Sequence, residues 1–413
     1  MSGTLSAEPT RRMRLTLGEA AFDSFMGIEV VRDLAEISAS FTLRGWEPVR
    51  SRALLGGTAN LADAGRALLG QKATLTIDGE VALIGWVEEL RAQSSGEDLL
   101  FTISGRDLAG DLVDCAAAPD GPVEFSNLTL TEIVTRIARP FGLTVRAEVD
   151  VGARFPRFGI EPDETALDAI EKACRQRAIL CVSDGIGGLV LTRGGQQRGP
   201  AAIRHGEGVT EAEVTLSWRD RYSEIIVKGQ TEKAAGNRAA AAPVQVTASP
   251  LTADPSPPPP AQAPARRERA GVLMTGRARD TEINRHRPRV VLAKTQSGGA
   301  SVQEQADWAV RVQRGRGTVP LYTLPDWRAG TARRLWRPNE LVAVDDRFAD
   351  ILQDMLVVGV TWLWDDSGAR TRLRLAGRDA FDVLREGEDR QAQRERRPGR
   401  ALDGTARPLA TGA

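Results

Sequence analysis

The sequence predicts a mainly β protein of the α+β class: two related antiparallel β-barrel domains with an α+β module inserted in the first. Three observations carry this. The stretch Leu83 to Leu108, LIGWVEELRAQSSGEDLLFTISGRDL, returns in degenerate form as Val357 to Phe381, VVGVTWLWDDSGARTRLRLAGRDAF, and self-similarity of this kind marks a duplicated structural unit. Between the copies the apolar period changes from two to that of a helix and back. An Ala/Pro-rich stretch then separates the second copy from what precedes it.

In chain order, Ala35 to Arg44 alternates Ile37, Ala39, Phe41 and Leu43 with polar residues, the period of a half-buried strand. Ala73, Leu75 and Ile77 repeat the pattern, Asp78-Gly79 supplies a two-residue turn, and Val81, Leu83 and Gly85 resume. The hairpin that follows closes on Gly105-Arg106-Asp107, as its later copy closes on Gly377-Arg378-Asp379. The first barrel is thus expected over Met13 to Cys115, completed by strands between His205 and Gln230, with Ile225 to Lys228 returning to it.

The inserted module is expected over Pro122 to Pro200. Leu130, Ile133, Val134, Ile137, Ala138 and Phe141 form one helical stripe behind a Thr129/Glu132 capping pair, stopped by Pro140 and Gly142. A second helix is expected to start at Glu161-Pro162-Asp163-Glu164, where proline and carboxylates suit a helix amino terminus. Strands Ile179 to Ser183 and Leu189 to Thr192 flank the turn Asp184-Gly185-Ile186-Gly187-Gly188.

Thr231 to Ala265 includes Pro255-Ser256-Pro257-Pro258-Pro259-Pro260 and reads as an Ala/Pro-rich linker. The second barrel follows over Arg266 to Arg385, with a helix at Gln303 to Arg311, strands at Thr318 to Leu324 and Leu341 to Asp345, and the second hairpin. Glu386 to Ala413 reads as a flexible Arg-rich tail.

Composition narrows the function. A formal net charge of +0 over 413 residues and 5% aromatic content give no global field or stacking platform for nucleic acid. Cys115, Cys174 and Cys181, with His205 and His286, lack zinc spacing and read as ordinary buried or polar positions. No signal peptide or bilayer-spanning apolar run is evident, which predicts a protein made in the cytoplasm without stable membrane insertion.

No catalytic motif emerges, and no cofactor or metal site is expected. Neither histidine sits in a nucleophile setting. The close carboxylates Glu88 and Glu89, and Glu161, Asp163 and Glu164, fit a strand's solvent face and a helix start. The 184–188 loop lacks the lysine of a phosphate-binding loop. Arg106 with Asp107, and Arg378 with Asp379, read as local pairs at equivalent corners of the duplication. With Trp336, whose turn position predicts exposure, they are the candidates for subunit or partner contact. Trp308, Trp327, Trp362 and Trp364 are expected in the core.

The order of NLTLTEIVTRIARPFGLTV (Asn127 to Val145), EPDETALDAIEKACRQRAILCVSDGIGGLVLTR (Glu161 to Arg193), RYSEIIVKGQ (Arg221 to Gln230) and LWRPNELVAVDD (Leu335 to Asp346) resembles the baseplate hub, or tail protein P, family of Mu-like contractile-tailed phages. That family is related to the hub of T-even phages and to the amino-terminal region of type VI secretion spikes. The resemblance implies a structural, non-enzymatic homotrimer whose duplicated barrels adapt a three-fold spike to a six-fold tail tube. It implies tube, spike and wedge proteins as partners, a channel that passes DNA without specific binding, and a place in the virion baseplate after assembly in the host cytoplasm. The long Ala/Pro segment and the Arg-rich tail depart from the family. Competing readings are a tail-associated peptidoglycan hydrolase using Glu161 and Asp163, and a carbohydrate-binding β-module.

Overall fold

The computed structural model describes residues 13–22, 25–46, 66–95, 98–231, 272–293 and 300–385. Most of the Ala/Pro-rich segment, from residue 232, and the Arg-rich tail lie outside them.

Seven strands form the first unit: β1 (Met13–Leu17), β2 (Ala20–Phe22), β3 (Gly27–Asp33), β4 (Ser40–Trp46), β5 (Lys72–Ile77), β6 (Glu80–Ser95) and β7 (Asp98–Asp107). The period-two residues Ala73, Leu75 and Ile77 all point inward, and Asp78 and Gly79 take positive φ as a tight turn between β5 and β6 requires. The strand expected over Ala35 to Arg44 begins only at Ser40, because the Ala35 amide donates to the Asp33 carboxylate (2.8 Å) and turns the chain there.

The module contains α1 (Gly110–Asp114), β8 (Glu124–Leu128), α2 (Leu130–Ala138), β9 (Thr144–Ala147), β10 (Phe155–Gly159), α3 (Ala166–Arg175), β11 (Leu180–Ser183) and β12 (Gly188–Thr192). Thr129 and Glu132 cap α2 reciprocally, and Gly142 closes its three-ten extension in the left-handed region. The second helix starts later than expected: Thr165 is its N-cap. Glu161 to Glu164 instead form a turn in which the Glu164 carboxylate accepts from the Glu161 amide (3.0 Å). The module has its own core, with Leu130, Ile133, Phe155 and Ile170 at its centre.

The second unit opens with β13 (Gln197–Arg198), β14 (Ile203–Arg204) and β15 (Glu211–Leu216). A three-stranded sheet follows, of β16 (Glu224–Thr231), β17 (Val272–Arg279) and β18 (Pro288–Leu292), packed against α4 (Val302–Gly315) through Ile225, Val227, Ala306 and Val310. The chain then completes the unit with β19 (Thr318–Pro325), β20 (Arg328–Ala329), β21 (Arg334–Leu335), β22 (Glu340–Asp346), β23 (Ile351–Asp365) and β24 (Gly368–Gly377).

Two expectations are corrected here. The module does not interrupt the first unit, since β13 and β14 pair with β22 and β15 pairs with β19. Nor does Ile225 to Lys228 return to the first unit, because β16 pairs with β17 and β18. An apolar strand pattern states that a face is buried, not which neighbour buries it.

The duplication extends beyond the hairpins. In the first unit the strands lie in the order β3-β4-β7-β6-β5, in the second in the order β15-β19-β24-β23-β22. Each long strand, β6 and β23, pairs through its first half with the preceding strand and through its second half with the following one. Each carries a bulge at the same distance from its tip, between Val87 and Glu89 and between Val357 and Gly359. Against this register the Gly-Arg-Asp triplets are offset by two residues: Gly105 faces Val87, whereas Gly377 faces Met355, the residue two before Val357.

The two units are joined by β3, which pairs with β4 on one side and with β23 on the other. Among the described residues the strands therefore make one continuous 14-stranded sheet and no closed barrel. One apolar core runs through both units, from Leu15, Phe41 and Leu75 to Trp327, Trp362 and Leu373.

Candidate assembly surface

The β3–β23 junction shows how two units of this fold meet. Antiparallel pairing places Ile28 opposite Trp364 and Val30 opposite Trp362, with Ile28, Val30 and Trp362 buried. Beyond the strand, the Leu34 amide donates to the carbonyl of the bulged residue Val358 (2.8 Å), and Leu34, like Phe381, packs against the cluster of Val358, Ala376 and Ala380. Asp33 forms an ion pair with Arg374 of β24. Arg328 reaches Glu80 (2.8 Å), and Arg337 stands 3.8 Å from the same carboxylate, tying the second unit to the β5–β6 turn.

The module is fixed to this junction by Asp107. Its carboxylate accepts from Ser183 Oγ (2.7 Å), Ser38 Oγ (3.0 Å) and the Ala109 amide (3.0 Å). Burial pushes its pKa up from the ordinary value, opposed by those hydrogen bonds. Arg32 of β3 donates to the Ser183 carbonyl (2.9 Å). Desolvation draws the Arg32 guanidinium down to about 10, against the attraction of Asp107 and Asp184. Side chains from β7 and β3 thus both reach Ser183 of β11.

Beside them lies a cleft of about 450 Å³, lined among others by Arg32, Arg146, Asp184, Glu340 and Trp362. Glu340 Oε1 accepts from Arg334 (2.6 Å), while burial raises the Glu340 pKa. Its Oε2 and the Trp362 indole N–H have no hydrogen-bond partner among the described residues. The cleft mixes both signs of charge, and no group of three or more His, Cys, Asp or Glu suited to a metal occurs among the described residues. No helix among them is long and apolar enough to cross a membrane.

The five residues singled out in the sequence do not converge. Arg106 does not pair with Asp107; it forks onto Glu88 (2.8 Å) and also pairs with Asp114, and the Glu88 hydrogen bonds, then those to Asp114, hold its pKa high. Arg378 and Asp379 are exposed in the short three-ten helix that ends the second unit. Trp336 is the clear correction: it is only 2% exposed, in the common core. Its turn folds over the sheet beneath the 199–200 segment, where the Gly199 amide donates to the Leu341 carbonyl (2.9 Å) and a Cβ on Gly199 would come 3.3 Å from the Trp336 ring. Trp327 and Trp362 are buried as expected, while Trp364 is partly covered. Of the cysteines, Cys174 is buried, Cys181 half-buried, and Cys115 exposed against expectation. Glu161 and Asp163 are both exposed on their turn. Sequence reasoning missed β3 as the joining strand, although its alternation, with Ile28 and Val30 inward, was visible.

Comparison with known proteins agrees with this architecture. The family described as "Baseplate hub protein gp44-like, second domain" matches residues 109–193, which are the module, and "Mu phage baseplate assembly protein GpP, fourth domain" matches residues 298–384. Baseplate hub protein gp44 of Escherichia phage Mu is 30% identical over 321 residues, 76% of this chain and 77% of that protein. The chain belongs to the Mu baseplate hub family. The 43 kDa tail protein of prophage MuSo2 from Shewanella oneidensis aligns with this hub at a TM-score of 0.72 and 25% identity, over 91% of this chain and 100% of the other. The tail protein from Neisseria meningitidis MC58 shares the fold at a TM-score of 0.66 and 18% identity, over 92% and 99% of the two chains. The hub is a structural component of the virion tail baseplate and assembles with other tail components. Its relatives are tail and baseplate proteins, in keeping with a non-enzymatic role. For such a protein the functional surfaces are those at which units join, and among the described residues the β3–β23 junction is such a surface, formed within the chain.

Proposed function

We propose that the hub works as a homotrimer in which the two units of each chain alternate around a ring, so that three subunits present six similar units. The observation that carries this is the shared strand order of the two units, joined side by side by β3. A duplicated unit in a three-fold assembly offers six near-equivalent surfaces to a six-fold tail tube on one side while keeping three-fold symmetry for a spike on the other. On this reading each unit's curved half-sheet closes as a barrel in the assembled ring, wedge proteins bind around it, and DNA passes through the centre without sequence-specific binding. Assembly takes place in the host cytoplasm before the particle is complete.

Light scattering on the purified full chain, with negative-stain averaging of the same sample, tests this. The expected result is three times the 44.6 kDa chain mass and a ring of six lobes. A monomer with no ring overturns it.

A further inference from the structure

The cleft beside Ser183 is walled by all three parts of the chain. Arg32 of β3 and Glu80 to Ala82 of β6 come from the first unit, Asp184 and Ile186 from the β11–β12 turn of the module, and Glu340 and Trp362 from the second unit. Register puts its inner groups on one face. Arg32 lies opposite Val360, which shares a face of β23 with Trp362. Glu340 begins β22 and shares the face of Val342, whose partner Met355 points into the common core, as Trp362 does. The floor of the cleft is thus the polar end of the core's own inner face.

Three groups on that floor keep hydrogen-bonding capacity unused. Glu340 and Trp362 are 3% and 1% exposed, and Glu340 Oε2 and the Trp362 indole N–H lack a partner among the described residues. Buried polar groups left in this way lower stability, so each calls for an explanation. A guanidinium carries several N–H donors, and among the described residues that of Arg32 uses one, on the Ser183 carbonyl (2.9 Å).

The chemistry of these groups selects the occupant. The indole and the guanidinium need an acceptor, and Glu340 Oε2, whose partner oxygen Oε1 is held by Arg334 (2.6 Å), needs a donor. An anion suits the first pair but is repelled by Glu340, Glu80, Glu148 and Asp184, which line the same cleft. A cation suits Glu340 but is repelled by Arg32. A neutral amide suits both. In a trans peptide unit the carbonyl and the N–H point to opposite sides, whereas a primary carboxamide carries them on one edge, the edge by which Asn and Gln read a base. Groups presented from one floor favour that edge. The volume of about 450 Å³ lies within the range of ligand sites, about 300–1,000 Å³.

We propose that this cleft binds the primary carboxamide of an asparagine or glutamine side chain on a peptide segment of another tail protein. The carbonyl accepts from Trp362 and Arg32, and the amide N–H donates to Glu340 Oε2. The cleft is formed within one chain, so the proposal goes beyond the trimeric reading and does not depend on it.

The full chain labelled with fluorotryptophan reports on the floor directly, its Trp362 fluorine signal assigned through Trp362→Phe. The probe is N-acetylglutamine N-methylamide, in which the side chain is the primary amide. At up to about 10 mM, enough to fill a millimolar site, it is expected to move the Trp362 signal saturably. No movement means a cleft filled by water only and overturns the proposal. The side-chain dimethylamide, which lacks N–H donors, and the glutamate counterpart should each bind at least about tenfold more weakly. A glutamate probe that binds as well as the glutamine one makes this an anion site and overturns the assignment. Glu340→Gln, whose oxygen stays with Arg334 and whose NH₂ replaces Oε2, should weaken the glutamine probe by a similar factor. Ile186→Trp, on the module turn where the native side chain is 46% exposed, should block the mouth and abolish binding without touching the floor, which keeps the test open if Glu340→Gln folds poorly. Binding unchanged in both variants puts the probe elsewhere and overturns the site. Free glutamine, with charged amino and carboxyl groups, separates the sources: tighter binding than the blocked probe would mean a soluble amide and overturn the peptide assignment.

Discussion

Asp107 accepts three hydrogen bonds, of which the one from Ser183 fastens the module to the first unit, and the energetic consequence follows from its burial. Asp107→Ala leaves the Ala109 amide and two hydroxyls without that acceptor and should cost about 2–3 kcal/mol. Asp107→Asn keeps a carbonyl for the Ala109 amide, and the Ser183 hydroxyl can turn to accept, so it should cost less than half as much in thermal denaturation. The two also differ in pH response. The folded-state pKa of Asp107 is raised, so the folded protein takes up its proton before the unfolded chain does, and stability from this group falls as pH rises from the ordinary carboxylate value through the raised one. The wild-type melting temperature minus that of Asp107→Asn should therefore grow more positive as pH is lowered through that window; a difference that does not vary with pH would remove Asp107 as a titrating group. Sequence alone marked Asp107 as a corner of the repeat but paired it with Arg106, because adjacency in sequence does not reveal that consecutive strand residues point to opposite faces. Trp336 was misjudged for a related reason: a turn residue is exposed only if nothing crosses it, and the 199–200 segment that does lies far away in sequence.

At the scale of the element, the bulged hairpin was legible and its register was not. Alternation, the Asp78-Gly79 turn, the α2 capping pair and the stop at Gly142 are local signals, and each reappears in the structure. The register of the two hairpins depends on a one-residue bulge, which has no compositional signature, and the Gly-Arg-Asp triplets pulled the sequence comparison two residues out of step. The glycines at the bulge have a steric reason. A Cβ on Gly105 would overlap the Trp86 carbonyl and press on the Phe41 ring, and one on Gly85 would overlap the Arg106 carbonyl. Gly105→Ala is therefore expected to cost about 2–4 kcal/mol through overpacking and backbone shift. The more open Gly45, whose Cβ would meet, among the described residues, only a Leu43 methyl at 4.0 Å, should tolerate alanine with less than about 1 kcal/mol. Equal melting temperatures for the two variants would contradict the close approach of β6 and β7.

At the scale of the molecule, the sequence showed a repeat but not that the copies share one sheet, because pairing between β3 and β23 joins residues more than three hundred positions apart. That pairing makes the two units one mechanical body. Load on one unit would therefore pass to the other through a hydrogen-bonded ladder and a common core instead of a linker. The module's core is distinct from the common one, although Ile37, Ile84 and Trp86 of the first unit pack against it, and none of its strands pairs with a strand of either unit, so it is the part expected to open first. Native-state hydrogen exchange separates these cases. The ladder amides of Val30 in β3 and Leu373 in β24 should exchange within about tenfold of each other and only with global unfolding, while α2 and α3 of the module open at lower free energy. If β3 instead exchanges orders of magnitude faster than β24, as a free edge strand would, the units are coupled only loosely. A ring of six tightly joined lobes would then lose its physical basis.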